Sequence, residues 1–214
     1  MHAGTGGPVG TTGLADGGRS AYRGRMIANE GVRGRRDRIR DFIDSWREVP
    51  VVLCDRTLDV LEANPAAARL TPAFHTGVNL ARFAFLSPDR VVGDPLWTRM
   101  SETTAELLKR SIEEHDADRP AARIIGELSA KSRDFAQTWA SGDGHSGTSG
   151  PIVFPTPAGE VRMVYNVLNA PGPEGDLLLV FVPSGASSRA RLKRLSEAVS
   201  PDEPSTSSDP VPSR

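Results

Sequence analysis

The chain of 214 residues contains one cysteine, Cys54, so no internal disulfide can substitute for a hydrophobic core. It lacks any run of about 18 apolar residues, which excludes a membrane-spanning helix. The opening stretch, MHAGTGGPVG, has neither the basic start nor the continuous apolar segment of a signal peptide, and a cytoplasmic protein is expected. An excess of one charge is missing as well. The net charge of -1 gives the chain as a whole no electrostatic reason to seek nucleic acid or an anionic membrane. His2, His75, His115 and His145 show no metal-ligand spacing, and no glycine-rich phosphate loop follows a strand. The segment GDGHSGTSG contains Ser146 and Ser149, but neither GHSGT nor GTSGP satisfies G-x-S-x-G, and no strand precedes them. A hydrolase using these serines is therefore the weakest reading, and the expectation is that the chain is not an enzyme.

What remains suits one well-buried domain with material left over for tails. Residues 1–34 are rich in glycine, show no apolar period and read as disordered. The arginines from Arg19 to Arg40 read as a solvated tail, with non-specific phosphate contact as the alternative. The pattern changes at Arg35. Ile39, Phe42, Ile43 and Trp46 make one apolar helical stripe, and a folded domain is predicted over 35–183. Short strands are predicted at Val51 to Cys54 and Leu58 to Glu62 around the polar turn Asp55-Arg56-Thr57. A helix then starts at Asn64-Pro65, with the asparagine at the N-cap and proline at the first helical position.

Further helices are predicted from Asn79 to Leu86, from Asp94-Pro95 to about His115, from Ala121 to Lys131, and around Phe135 and Trp139. Residues 141–151, SGDGHSGTSGP, read as a flexible loop. Strands return at Ile152 to Phe154, at Val161 to Leu168 with period-two alternation, and at Leu177 to Val182. Residues 184–214 hold a basic helix, Ser188 to Val199, and a disordered tail. The predicted class is α+β: a PAS-like antiparallel five-stranded sheet, ordered as two strands, helices, three strands, with helices packed on one face and disordered termini. Such an arrangement leaves a pocket between sheet and helices.

Five stretches, VPVVLCDRTLDVLEANPAAARL, VNLARFAFLSP, DPLWTRMSETTAELLKR, FAQTWA and GEVRMVYNVL, together resemble the MmyB-like transcription regulator ligand-binding domain, from about Arg35 to Pro183. The resemblance implies a PAS-like sensor of XRE-type regulators that accommodates a long-chain fatty acid, usually joined to an amino-terminal helix-turn-helix that binds DNA. Residues 1–34 contain no amphipathic helices for such a module, so it is expected to be absent from this chain. Two further departures concern the pocket: Val78-Asn79 stands where the family has Arg-Asn, and Phe154-Pro155 where it has His-Pro.

The ligand-binding candidates are Asn64, Asn79, Arg82, Phe83, Trp97, Trp139 and Tyr165. Asn64 is ordinarily an N-cap, although a helix start beside a pocket also offers amides to a carboxylate. Asn79 matches the family pair and can equally cap. Arg82 is placed to replace the missing basic group as counter-ion to a fatty-acid head, or is simply an exposed helix arginine. Trp97 and Trp139 serve as core or pocket wall, Phe83 lies in the second resembling stretch, and the Tyr165 hydroxyl needs a partner, which is either ligand or backbone. Cys54 reads as a small buried hydrophobe. The expected function is ligand sensing that modulates transcription, with no cofactor beyond a bound fatty acid, no metal and no membrane. The alternatives are a dimerisation module acting on intact regulators and the weak hydrolase. A homodimer, or a heterodimer with related regulators, is the expected protein partner.

Overall fold

The computed structural model describes residues 34, 37–115, 118–141, 148–172 and 174–197; the glycine-rich start, Ser146 and the tail after Glu197 lie outside them. The chain divides into Met1–Phe42 and Ile43–Arg214. Described residues of the first unit are helical, and everything below concerns the second. Helix α1 covers 37–45. Strands β1 (Val51–Cys54) and β2 (Val60–Ala63) follow, then the short helix α2 (Pro65–Ala68), a 3-10 turn at Pro72–Phe74 and α3 (Leu80–Leu86). Three longer helices come next, α4 (Pro95–His115), α5 (Arg119–Lys131) and α6 (Arg133–Ser141). The chain then returns through β3 (Ser149–Phe154), β4 (Val161–Asn169) and β5 (Leu177–Pro183) to α7 (Gly185–Glu197).

All strand pairs are antiparallel and the sheet order is β2-β1-β5-β4-β3. The amino-terminal hairpin and the carboxy-terminal meander join where β1 pairs with β5, Val51 opposite Val180 and Cys54 opposite Leu177. The α+β class and the order of two strands, helices, three strands agree with the sequence. One sheet face carries Val52, Cys54, Met163, Tyr165, Leu179 and Phe181, all in a single buried cluster with residues of α3 to α6. The helices between the two strand groups thus cover that face.

Helix starts follow the cap-then-proline device. Asn64 Oδ1 accepts from the Ala67 amide, Asp118 Oδ1 from the Ala121 amide, and Asp94 Oδ1 from the amides of Leu96 and Trp97, satisfying donors that a helix start leaves open. Thr71-Pro72 repeats it, with Thr71 Oγ1 accepting from the Ala73 amide.

Two strand boundaries differ from expectation. The second strand begins at Val60 because the turn is longer. Asp55 Oδ1 collects the Thr57 amide, the Thr57 hydroxyl and the Asp59 amide, and Leu58 takes a left-handed conformation with φ 65°. That backbone costs a non-glycine residue roughly 1–2 kcal/mol, and full burial of the leucine side chain offsets it. The third strand begins at Ser149, inside the stretch read as loop, because Gly150 pairs with Tyr165 of β4 and the tyrosine ring lies over it. A Cβ at Gly150 would sit 2.9 Å from that ring. The aromatic side chain thus occupies the surface the glycine leaves bare.

Helix α7 packs onto the domain through Leu192, which belongs to the main core cluster. Ser188 Oγ accepts from the Arg162 amide at the start of β4.

Candidate functional site

Between the helical layer and the sheet lie two connected chambers. The inner one is walled by Ala73 and Phe74 of the 3-10 turn, Leu80 of α3, and Thr103, Thr104 and Leu107 of α4. Its floor is Tyr165 of β4 with Leu179 and Phe181 of β5. The outer one extends past Leu70, Pro72, Leu96 and Trp97 to the end of β3 at Val153 and Pro155, with Asp89 on its rim. Thr71, Phe83, Met100, Ile152 and Phe154 line both chambers and form the partition. The inner chamber offers room for water of about 50 Å³ and the outer about 230 Å³. A single water needs about 10–15 Å³ by this measure, so the outer chamber has most of the space.

Aromatic packing sets the walls. Phe74, Phe154 and Phe181 pack with centroids 5.0 to 5.5 Å apart, a mutual arrangement that fixes ring orientation. Phe83 stacks on Trp97 at 5.8 Å across the outer chamber. Phe135 and Trp139 stack at 5.3 Å, with Phe85 edge-on to Phe135, and this second cluster lines neither chamber.

The sequence candidates separate cleanly. Phe83, Trp97 and Tyr165 line the chambers; Asn64, Asn79, Arg82 and Trp139 line neither. Asn64 is 1% exposed and wholly committed to protein. Its Oδ1 also accepts from the Val51 amide, and its Nδ2 donates to the carbonyls of Trp46 and Val49, both at 2.7 Å, with Ile43 at 3.4 Å. Asn79 Oδ1 caps α3 at the Arg82 amide, while its Nδ2 donates to the Thr57 carbonyl and Asp59 Oδ1. Neither retains a group for a ligand. Arg82 turns to α5, where its Nε and Nη2 donate to Glu127 Oε2 at 3.1 and 2.9 Å.

Arg82 in turn acts on Glu127. Hydrogen bonds from Arg82 first and Lys131 second hold its carboxyl down to about 2. Because the folded value lies below the unfolded one, this contribution to stability is present above pH 4.5 and is lost as pH falls toward 2. We expect the Glu127 carboxyl resonance to titrate with a midpoint near 2, and in Arg82→Ala to move up toward the ordinary glutamate range; an unchanged midpoint would remove the arginine as its cause.

Sequence reasoning misses Phe74, Met100, Ile152 and Phe181 as wall residues. The available signal for Phe74 is Thr71-Pro72, the same device that marks the helix start at Asn64-Pro65. Phe154 stands out in the sequence only as a departure from the family's histidine, and the structure sets it in the partition.

The polar groups that do face the inner chamber are hydroxyls. Burial first, and then the Glu106 carboxylate, push the Tyr165 hydroxyl up from its usual range, so it stays protonated. Among the described residues it makes no hydrogen bond. Thr104 donates to the Met100 carbonyl at 2.7 Å and keeps its lone pairs. Cys54 is fully buried, and burial raises its thiol well above the ordinary value, which leaves it protonated. No group of three or more His, Cys, Asp or Glu able to hold a metal occurs among the described residues. Ser149 lies on β3, paired with Asn166. No helix among the described residues is long and apolar enough to cross a membrane.

A helix-covered antiparallel sheet enclosing an apolar, hydroxyl-bearing cavity defines a small-molecule-binding domain. The model of the MmyB-like transcription regulator ligand binding domain matches residues 36–195, and the chain belongs to that family. No curated protein matches it. The match makes this the ligand-binding domain of a transcription regulator and extends through most of α7, whose core contact through Leu192 is described above.

Proposed function

We propose that this PAS-like domain is a cytoplasmic sensor binding a long-chain fatty acid or a similar apolar ligand in the two chambers, and that it modulates transcription without catalysis. The observation that carries the reading is the cavity itself, walled almost entirely by aliphatic and aromatic side chains and opening past Phe83 and Trp97. Ligand in the inner chamber would press on Leu179 and Phe181 of β5, the strand that runs directly into α7. Occupancy would therefore bias the arrangement of α7, and of α1 at the other end of the domain, by stabilising one of their positions over another. Formation or rearrangement of a dimer, with a second copy or with a related regulator, is the proposed output.

Organic extraction of the purified protein followed by mass spectrometry should recover a chain-like lipid. Recovery of none, together with no binding of any added apolar chain, would sink the reading.

A further inference from the structure

Resting on the assignment of the two chambers as the ligand site, we infer that the ligand's head group is uncharged, an alcohol or carbonyl on an apolar chain, and not a carboxylate. Among the described residues no lysine, arginine or histidine lines either chamber, and the one charged lining residue, Asp89, is itself an anion. A second carboxylate, Glu106, acts on the Tyr165 hydroxyl at the inner end. An acid entering head-first would lose its hydration and meet no compensating cation.

The nearby cations are already occupied: Arg82 by Glu127 and Asp59, Arg90 by Asp134. Helix starts provide no anion site either. Leu96 and Trp97 both line the outer chamber, yet their amides donate to the carboxylate of Asp94, so the protein's own anion takes the positive end of α4. At α3 the Arg82 amide donates to Asn79.

The remaining polar atoms suit a neutral partner. The Tyr165 hydroxyl can donate or accept, Thr104 Oγ1 can accept, and Thr71 Oγ1, already accepting from the Ala73 amide, can still donate. None supplies charge.

Calorimetric titration of the full chain with 1-decanol and with sodium decanoate at neutral pH tests this. Decanol should bind at least about tenfold more tightly, the margin expected when one head group is neutral and the other an unpaired buried anion. Tyr165→Phe should weaken decanol about fivefold while leaving decanoate unchanged. Asp89→Asn, at an exposed rim position, should tighten decanoate by about twofold and leave decanol alone. Decanoate binding as tightly as decanol overturns the head-group assignment while leaving the chambers as the site. Binding of neither chain overturns both.

Discussion

Asn64→Ala should lower the stability of the domain by about 3 kcal/mol, because truncation removes several buried hydrogen bonds at once and each orphaned buried group costs roughly 1–3 kcal/mol. For a domain of this size the melting temperature should fall by roughly 6–12 °C. The side chain joins three segments. Its oxygen holds the first amide of β1 and the start of α2, and its amide nitrogen holds the carbonyls at the end of α1 and in the link to β1. Asn64→Asp isolates the second half of that role. The aspartate keeps the acceptor for Val51 and Ala67 but sets an anionic oxygen against the Trp46 and Val49 carbonyls. Repulsion and burial then raise its folded-state pKa. Stability of this variant should be highest below the unfolded carboxylate value, where a proton can bridge to one carbonyl, and should decline as pH rises through the folded value. Thermal melts at acidic and neutral pH measure this. An Asn64→Asp variant as stable as wild type at neutral pH would show that the donor half of the side chain contributes nothing.

The same residue shows what the sequence reveals of fold and of site. Asn64-Pro65, Asn79 and Asp94-Pro95 all announce helix starts through chemistry confined to four adjacent residues. The alternation of Val161, Met163, Tyr165 and Val167 marks a strand with one buried face, and all four are buried. Local rules fail where the deciding partner is distant. Gly150 reads as loop until Tyr165 covers it, and Leu58 takes a left-handed backbone because its side chain is wanted in the core.

The site is less legible for a related reason. A polar residue such as Asn64, Asn79 or Arg82 attracts notice in a sequence as a ligand contact, but folding satisfies buried polar groups with its own backbone and ion pairs. The chamber walls are instead phenylalanine, isoleucine, leucine and methionine from six elements, and nothing in their sequence spacing separates a residue facing a void from one facing another side chain. Phe83, Trp97 and Tyr165 are reached through the family-like stretches in which they lie, while Phe74 and Phe181 depend on tertiary placement.

Phe181→Ala and Phe135→Ala should both destabilise the domain by about 3–5 kcal/mol, yet only the first should change what it binds. Both rings are buried, at 3% and 0% exposure, and each packs edge-on against one neighbour and closer to parallel with another. Phe135 is surrounded by Phe85 and Trp139 in the helical layer, so its loss leaves a closed hole and a cost toward the top of the range. Phe181 borders the inner chamber. Part of its surface already faces space, fewer contacts are lost, and the cost should fall toward the bottom. The vacated volume also merges with the inner chamber instead of forming a separate void. Chain-length preference, measured by titrating neutral lipids of increasing length, should therefore shift toward longer chains in Phe181→Ala and stay unchanged in Phe135→Ala. Denaturant melts with and without ligand separate the two effects: the longer-chain ligand should recover part of the stability lost in Phe181→Ala, in proportion to its occupancy, and none beyond the wild-type increment in Phe135→Ala. Equal shifts in both variants would mean that chain length is read by the overall looseness of the core and not by the wall that Phe181 forms.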